Sequence, residues 1–421
     1  DVAGNAATTA GGADRAVTYD ATAPTLTLAQ AAGQADPANN SSIQFTLTGS
    51  ETLDGATITA SDFTVTNGGT PTITGTGSTR TITVVASGQG AVTIAPSGTF
   101  SVSDVAGNAQ GTVGGTDRTV VYDLTAPTLT LQQALAQADP TNGSSIAFTL
   151  SANEALDGTT ITSSDFTATN GTVSSVTGSG ASFTVTVTAT GQGAVSVAPS
   201  GTFSVNDVAG NAATTAGGTD RTVTFDSVAP TLTLAQAAGQ ADQTNGSTIQ
   251  FTLTGSETLD SATIAASDFT VTNGGTPAIT GSGSTWTITV TASGEGNVTI
   301  APSAGFSVGD TAGNLTTTAG GTDRTVTYDI TAPTLTLAQA AGQADPTNGS
   351  SIQFTLSSNE ALDGTTIAAS DFTVTNGSAV TVTGSGTTGT LTTTATAHGA
   401  VTIVPSGAFS IAAIAGNAAT T

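Results

Sequence analysis

The chain has 421 residues, and its 29 acidic residues against five basic ones give a formal net charge of −24. This balance argues against nucleic acid and anionic membrane surfaces as partners, and it makes cations the natural counterpart. Cysteine and methionine are both absent, which excludes disulfides and thiol chemistry and suits a protein that works outside a cell. No run approaches the roughly 20 apolar residues of a membrane helix, so this segment is not expected to insert into a membrane.

One five-residue sequence motif recurs at a fixed spacing along the chain. Copies of Asp-x-Ala-Gly-Asn begin at Asp1, Asp104, Asp207 and Asp310, a step of 103 residues, and Ala413 takes the acidic place in a fifth copy. Because this step is an ordinary domain size, the sequence predicts tandem domains and not one large domain. The predicted parts are residues 1–20 (the last loop and strand of a preceding repeat), the repeats 21–123, 124–226 and 227–329, and a fourth repeat, 330–421, that lacks its final strand.

Period-2 alternation of apolar and polar residues dominates each repeat and predicts β-strands. The strands expected in the first repeat lie near residues 25–28, 43–48, 63–66, 72–74, 79–85, 91–95 and 118–122, separated by clusters of Gly, Pro, Asn and Ser. Seven short strands predict an all-β fold, an antiparallel β-sandwich. The Asn-Gly pair at Asn67 follows the third strand and predicts a tight turn with a positive φ angle.

The predicted linkers between repeats are short. Thr-Ala-Pro-Thr lies between the last strand of one repeat and the first strand of the next at Pro24, Pro127 and Pro333, and Val-Ala-Pro-Thr takes its place at Pro230. A stiff connection of a few residues leaves little room for independent tumbling. We therefore expect neighbouring repeats to be each other's partners and to line up end to end as a rod.

Acidic residues fall at fixed positions, and the alternating chain direction of a seven-stranded sandwich sends several of their loops to one pole. The first repeat should gather Asp20, Glu51, Asp62 and Asp104 there, and the chain has no lysine to neutralise them. Carboxylates with amide and backbone oxygens are the ligand set for calcium, so the sequence predicts one or more Ca²⁺ ions at this pole. The alternative is that these acids cap turns and keep the chain soluble.

The sequence also predicts the surroundings of two sets of positions that hold arginine or tryptophan. Arg118 and its equivalents follow an aspartate at the start of the last strand, which predicts a cross-strand ion pair. Arg80 and Trp286 occupy equivalent positions in the first and third repeats, which indicates an exposed strand position that tolerates unlike side chains.

An ordered combination of short motifs resembles the bacterial immunoglobulin-like repeats of large secreted surface proteins and biofilm-associated adhesins. The motifs are Leu-Ala-Gln-Ala-Ala-Gly-Gln-Ala-Asp-Pro-Thr-Asn at 337–348, Ser-Asn-Glu at 358–360, Asp-Phe-Thr-Val at 371–374, and Asp-x-Ala-Gly-Asn near the end of a repeat. The resemblance covers essentially the whole chain. It implies tandem immunoglobulin-like sandwiches that serve as an extender region, often made rigid by calcium between domains in related adhesins.

The resemblance also implies equivalent calcium ligands in the later repeats. In the fourth repeat Ala413 replaces the acid, so a site built on Asp329, Glu360 and Asp371 should bind calcium weakly or not at all. The candidate ligands carried over by position are Glu51, Asp62 and Asp104 with Asp20, Glu154, Asp165 and Asp207 with Asp123, and Glu257, Asp268 and Asp310 with Asp226.

The leading functional prediction is a non-catalytic structural stalk, secreted or at the surface of a bacterium, that holds a functional tip away from the cell. Enzyme catalysis has little support, because the single histidine, His398, occurs in the last repeat only and cysteine and lysine are missing.

Two other functions remain open. The chain could be a self-assembling filament or sheath subunit, in which residues 1–20 of one copy donate a strand to the incomplete fourth repeat of another; the simpler explanation is that the segment is an excerpt of a longer array. Regular outward threonines such as Thr79, Thr81 and Thr83 could instead form a surface for glycans or ice, although threonine is also an ordinary exposed strand residue.

Overall fold

The computed structural model describes residues 2–6 and 15–420. The chain divides into two compact units, Asp1–Gln137 with Ser144–Thr224 and Ala138–Gly143 with Phe225–Thr421. The described residues form β-strands and short 3-10 turns, without any α-helix, which confirms the all-β prediction. No helix in this part of the chain is long and apolar enough to cross a membrane.

The first repeat has nine strands: β1 Leu26–Gln30, β2 Ser42–Gly49, β3 Phe63–Thr66, β4 Thr72–Thr74, β5 Thr79–Val85, β6 Gly90–Pro96, β7 Val102–Ser103, β8 Ala109–Gln110 and β9 Thr119–Tyr122. One sheet has the order β1-β2-β5-β4, the other has the order β3-β6-β9, and β7 pairs with β8 alone. All these pairings are antiparallel. This strand order is that of a constant-type immunoglobulin sandwich, so the predicted immunoglobulin-like fold is confirmed.

The second and third repeats have the same two-sheet order. The strands of the second repeat are β10 Leu129–Gln133, β11 Ser145–Ala152, β12 Phe166–Thr169, β13 Gly171–Ser179, β14 Ser182–Ala189, β15 Gly193–Pro199, β16 Val205–Asn206, β17 Ala212–Ala213 and β18 Thr222–Phe225. Those of the third repeat are β19 Leu232–Gln236, β20 Thr248–Gly255, β21 Phe269–Thr272, β22 Ala278–Ser282, β23 Thr285–Thr291, β24 Gly296–Pro302, β25 Val308–Gly309, β26 Leu315–Thr316 and β27 Thr325–Tyr328.

The fourth repeat has fewer strands in the described residues. Its strands are β28 Leu335–Gln339, β29 Ser351–Leu362, β30 Phe372–Thr375, β31 Thr381–Thr394 and β32 Thr402–Pro405. They form a sheet β28-β29-β31 and a two-stranded sheet β30-β32, which has no counterpart of β9. Phe354 is consequently only half-buried, whereas its equivalent Phe45 is fully buried in the first repeat.

Short 3-10 turns carry the chain from the first sheet to the second. Asp54 caps the first turn by accepting a hydrogen bond from the Ala56 backbone N–H at 2.9 Å, as aspartate does at helix starts. The turns lie at Gly55–Thr57, Ala60–Asp62, Gly158–Thr160, Ser163–Asp165, Ser261–Thr263, Ala266–Asp268 and Ala369–Asp371.

Each core fills the space between the two sheets with the inward side chains of alternating strands. Ile43, Phe45 and Leu47 on β2 are 0% exposed, and the burial of each large apolar side chain contributes about 1.5–3 kcal/mol. Phe63 and Phe100 meet edge to face with ring centroids 5.9 Å apart. The alternation in the sequence therefore identifies the core directly.

One strand differs in length between repeats for a local reason. β4 has three residues, whereas its equivalent β13 has nine and continues the ladder from Gly171 onward. Pro71 precedes β4, and Ser174 occupies the equivalent place within β13. Because proline has no backbone N–H to donate to a ladder, the continuous strand β4 begins only after Pro71, and the pairing before it is limited to the isolated bridge Gly68↔Ala86 among the described residues.

Both expectations about Arg80 and Arg118 are wrong. Arg80 is 5% exposed and Trp286 is 8% exposed, so this position is buried; the Arg80 Nη2 donates to the Leu53 carbonyl at 2.8 Å. Arg118 donates to the carbonyls of Gly114 and Val113 at 2.8 and 3.0 Å. Backbone carbonyls in the loops need donors more than the exposed acids do, and each guanidinium supplies several.

Residues 15–20 form no strand in the structure. Val17 and Tyr19 are 95% and 90% exposed, whereas the equivalent Val120 and Tyr122 are 0% and 8% exposed. Residues 7–14, which also belong to the predicted last loop and strand of a preceding repeat, lie outside the described residues. The repeat boundaries therefore stay a prediction.

Candidate metal centres

The structure brings carboxylates together in three groups of three. In each group one carboxylate oxygen from every residue lies within 4.8 Å of the other two. The groups are Asp20, Glu51 and Asp104, then Asp123, Glu154 and Asp207, then Asp226, Glu257 and Asp310.

Three separate segments build each group. In the first group Asp20 precedes β1, Glu51 follows β2, and Asp104 follows β7. An isolated antiparallel bridge between Leu53 and Asp104 fixes the second segment against the third. A short loop thus carries each acid to the point where the chain enters a repeat.

The buried aspartate is held by its own loop. Asp104, which is 1% exposed, accepts hydrogen bonds at Oδ1 from the backbone N–H groups of Ala106 and Asn108 at 2.8 and 2.9 Å. The Asn108 Nδ2 donates to Asp104 Oδ2 at 2.8 Å. Although burial acts to raise it, these hydrogen bonds, together with one from Gly107, hold the pKa of Asp104 below its ordinary value.

The recurring asparagine also reaches the preceding repeat boundary. Asn108 Nδ2 donates to the Asp20 carbonyl at 3.2 Å, and Asn211, Asn314 and Asn417 make the equivalent bond to Asp123, Asp226 and Asp329 at 3.1, 2.9 and 2.8 Å. The sequence prediction gave this asparagine no role of its own. Its recurrence in every copy of Asp-x-Ala-Gly-Asn was the available signal.

The glutamate of each group is the acid whose ionised form is disfavoured. Burial, and then the charges of Asp20 and Asp104, raise the pKa of Glu51 above its ordinary value. Burial and the charges of Asp123 and Asp207 raise the pKa of Glu154 in the same way. The Glu154 Oε1 is buried and, within the described part of the chain, has no hydrogen-bond partner.

This donor set fits a hard cation. Three carboxylate oxygens converge in each group, and no basic side chain is in the group; in the second group one glutamate oxygen, Glu154 Oε1, is also buried without a hydrogen-bond partner among the described residues. Oxygen donors of this kind suit Ca²⁺ or Mg²⁺ and not a soft transition metal. Each group is therefore able to hold a metal ion.

The structure does not bring the predicted Asp62, Asp165 and Asp268 into these groups. Asp62 Oδ2 accepts hydrogen bonds from the backbone N–H and the hydroxyl of Thr59 at 2.7 and 2.9 Å, and Asp165 does the same with Thr162 at 2.7 and 2.8 Å. Asp268 accepts from the Ala265 N–H at 2.7 Å. These acids cap a 3-10 turn, because its free N–H groups require an acceptor.

The fourth repeat has no such group among the described residues. Ala413 is 2% exposed at the place of the buried aspartate. Asp329 and Glu360 remain, and burial followed by the charge of Asp329 raises the pKa of Glu360. Asp371, the third predicted ligand, accepts hydrogen bonds from the Ser410 N–H and the Ala368 N–H at 3.0 and 2.7 Å.

No protein-family model matches the chain, and no curated protein matches it in sequence. Among solved structures, the Escherichia coli adhesin FdeC is 18% identical over 72% of this chain and 98% of its own, with a TM-score of 0.33. The bacterial integrin-binding protein invasin is 15% identical over 90% of this chain and 75% of its own, with a TM-score of 0.36. InvD of Yersinia pseudotuberculosis is 16% identical over 80% of this chain and 93% of its own, with a TM-score of 0.27. FdeC is an adhesin, the class of protein that the sequence resembles, and these low similarities transfer no function to the chain.

Proposed function

We propose that the chain is a non-catalytic structural stalk of a bacterial surface protein of the adhesin class, located outside the cell, in which Ca²⁺ fixes successive repeats to one another. The observation that carries the proposal is the composition of each carboxylate group. Asp123 closes the first predicted repeat, whereas Glu154 and Asp207 belong to the second. An ion bound by all three restrains the linker between them.

Electrostatics give the ion its effect. Three like charges within 4.8 Å repel one another, and a divalent cation converts that repulsion into attraction. A cation that binds only the folded form stabilises it by about 2.7 kcal/mol when its free concentration is 100 times Kd. Calcium is therefore expected to raise the melting temperature of the chain.

Calorimetry of the full chain with calcium and with a chelator tests the calcium part of the proposal. We expect Asp207→Asn to remove the calcium-dependent rise of the transition that contains the second repeat. Asp165→Asn is the matched control: it weakens a 3-10 cap and should lower the melting temperature equally in calcium and in chelator. A melting temperature of the unmodified chain that is the same in both buffers would contradict calcium ligation.

Small-angle X-ray scattering tests the stalk. Four repeats in line should give a maximal dimension close to the sum of four domain lengths in millimolar calcium, and a broader distribution of distances in chelator. A compact particle in calcium would exclude a stalk and leave the calcium measurement to be judged by itself.

Strand donation between copies is a second candidate, favoured by two observations. Val17 and Tyr19 are almost fully exposed, and the fourth repeat has a groove of about 480 Å³ lined by Ile352, Phe354 and Val401, among others. In the first repeat the matching strand β9 pairs with β6 through Val120↔Val92 and Tyr122↔Gly90. Electron microscopy separates the candidates, because donation produces head-to-tail fibres that Val17→Asp abolishes, whereas stalks are single rods.

A further inference from the structure

The loop after the first strand of each repeat contacts the Asp-x-Ala-Gly-Asn motif of the next repeat. This loop has the sequence Asp-x-x-Asn, and its copies in the first three repeats end at Asn39, Asn142 and Asn245. The Asn245 backbone N–H donates to the Ala415 carbonyl, in the copy of the motif that begins at Ala413, at 2.9 Å. At the first junction the asparagine side chain makes the contact, because a Cβ at Gly210 would lie 3.0 Å from Asn39 Nδ2.

Two further hydrogen bonds close this contact around the linker aspartate. The Asp329 N–H donates to the Thr244 carbonyl at 3.0 Å, and Asn417 Nδ2 donates to the Asp329 carbonyl at 2.8 Å. With the bond from Asn245 to Ala415, they tie a loop of the third repeat, the linker and a loop of the fourth repeat to one another. The same three bonds recur at the preceding junction, from Asp226 to Thr141 at 2.9 Å, from Asn314 to Asp226 at 2.9 Å and from Asn142 to Ala312 at 3.1 Å.

The alanine of the motif is buried only where such a loop precedes it. Ala209, Ala312 and Ala415 are 8%, 9% and 6% exposed, and Ala209 lines a cavity together with Asn39 of the first repeat. Ala106, the equivalent residue of the first repeat, is exposed, and the described residues hold no Asp-x-x-Asn loop ahead of that repeat. The neighbouring repeat therefore buries this alanine, and its own repeat does not.

This contact uses no carboxylate oxygen. Its donors are backbone N–H groups and the Asn417 amide, and its acceptors are backbone carbonyls, none of which needs a cation to neutralise it. The contact is present before the fourth repeat, where Ala413 stands in place of the aspartate and no group of three carboxylates occurs in the described part of the chain. The two features of a junction, carboxylate group and loop contact, are therefore separable.

We propose that the Asp-x-Ala-Gly-Asn loop is a docking surface for the Asp-x-x-Asn loop of the preceding repeat, and that this contact holds the third and fourth repeats together without a metal ion. The partner that fits the surface is another repeat of the same kind, because both loops consist of recurring residues. The short linker keeps the two loops at a high effective concentration, so a few hydrogen bonds suffice to hold them together. The inference does not depend on the proposed calcium sites.

Distances between two spin labels on the full chain, measured by pulsed electron paramagnetic resonance, test the inference. The chain has no cysteine, so Thr270→Cys and Thr373→Cys place one label on an exposed strand position of the third repeat and one on the equivalent position of the fourth. We expect one narrow distance distribution that is the same in calcium and in chelator. Ala415→Gln places a long side chain in the contact and should broaden the distribution in both buffers.

Ala106→Gln is the matched control, because it makes the same substitution in an exposed copy of the same loop and should leave the distribution unchanged. Asn417→Ala is a second variant, which removes the donor to the Asp329 carbonyl and should also broaden the distribution. A distribution that stays narrow in both Ala415→Gln and Asn417→Ala would overturn the inference. So would a labelled chain without further substitution that gives a narrow distribution in calcium and a broad one in chelator, a result that leaves the proposed calcium function standing.

Discussion

Each carboxylate group places a glutamate that is costly to ionise beside an aspartate that its own loop stabilises. Hydrogen bonds from Asn108 and Ala106 lower the pKa of Asp104, in spite of its burial. Burial and two neighbouring acids raise the pKa of Glu51. The two residues therefore have opposite effects on stability as the pH changes.

The effect of Glu154→Gln on the melting temperature should have opposite signs without and with calcium. The raised pKa of Glu154 means that its stabilising contribution is fully present below its ordinary value of 4.5 and is lost as the pH rises through the raised value. Without calcium, Glu154→Gln should therefore melt a few degrees higher than the unmodified chain at about pH 7 and at the same temperature near pH 4. In calcium the variant should melt lower, because it has lost a ligand. Differential scanning calorimetry across this pH range, with and without calcium, measures both changes in melting temperature. A variant that melts lower than the unmodified chain in chelator too would contradict the repulsion between Glu154 and its neighbouring aspartates.

Gly218 is a position where only glycine fits. Its φ is +106°, and a Cβ there would lie 2.1 Å from the Leu131 carbonyl oxygen. We expect Gly218→Ala to destabilise the second repeat by roughly 3 kcal/mol or more, measured by chemical denaturation. Gly201→Ala is the control, since a Cβ there meets nothing within 4 Å, and its effect should stay within about 0.5 kcal/mol.

At the scale of elements, the loop before the last strand is held against the first strand of its repeat. In the second repeat Leu131 N–H donates to the Gly217 carbonyl at 2.9 Å, and Gly217 N–H donates to Leu129 at 2.7 Å. Arg221 donates from Nη2 to the carbonyls of Ala216 and Gly217 at 2.5 and 2.6 Å. Arg221 Nε also donates to the Leu131 carbonyl at 3.2 Å, so one guanidinium ties an irregular loop to β10.

Replacing that guanidinium should loosen the loop. Arg221→Met removes the Nη2 donor to the Ala216 and Gly217 carbonyls, and hydrogen bonds to charged groups contribute about 1.5–3 kcal/mol each. We expect a loss of roughly 2–4 kcal/mol and faster hydrogen exchange over residues 214–221. Arg80→Trp is the matched control, because Trp286 occupies the equivalent buried position and the swap should be nearly neutral. Unchanged exchange in Arg221→Met would show that the backbone bonds suffice.

The alternating strands were predictable as elements, and their irregular neighbours were not. The prediction near residues 79–85 coincides with β5 Thr79–Val85, and Asn67 has the expected positive φ of 55°, since periodicity and turn chemistry are local properties. The pair β7 and β8 was missed, because strands of two residues carry no period. The burial of Arg80 was missed too, because it depends on carbonyls such as that of Leu53, which is 27 residues away in the chain.

For the whole molecule, the net charge of −24 makes stability depend on salt. Without calcium, we expect the melting temperature to rise between about 10 mM and about 1 M NaCl, over which the Debye length falls from about 30 Å to about 3 Å. Saturating calcium should flatten this dependence by neutralising the carboxylate groups. Thermal scans of one preparation in both series measure the two slopes, and equal slopes would contradict neutralisation at these groups.

The sequence by itself determined the repeat, the all-β character and the meeting of Asp20, Glu51 and Asp104, because spacing, period and chain direction are all properties of the linear sequence. Only the tertiary structure decided which partners each acid has, because acids with different partners look alike in the sequence. Asp62 accepts hydrogen bonds from the backbone N–H and the hydroxyl of Thr59, just before its own 3-10 turn, whereas Glu295 accepts one from the Ile330 N–H. A carboxylate binds whichever unsatisfied donor or shared cation lies within its reach, and packing in three dimensions determines which of these partners that is.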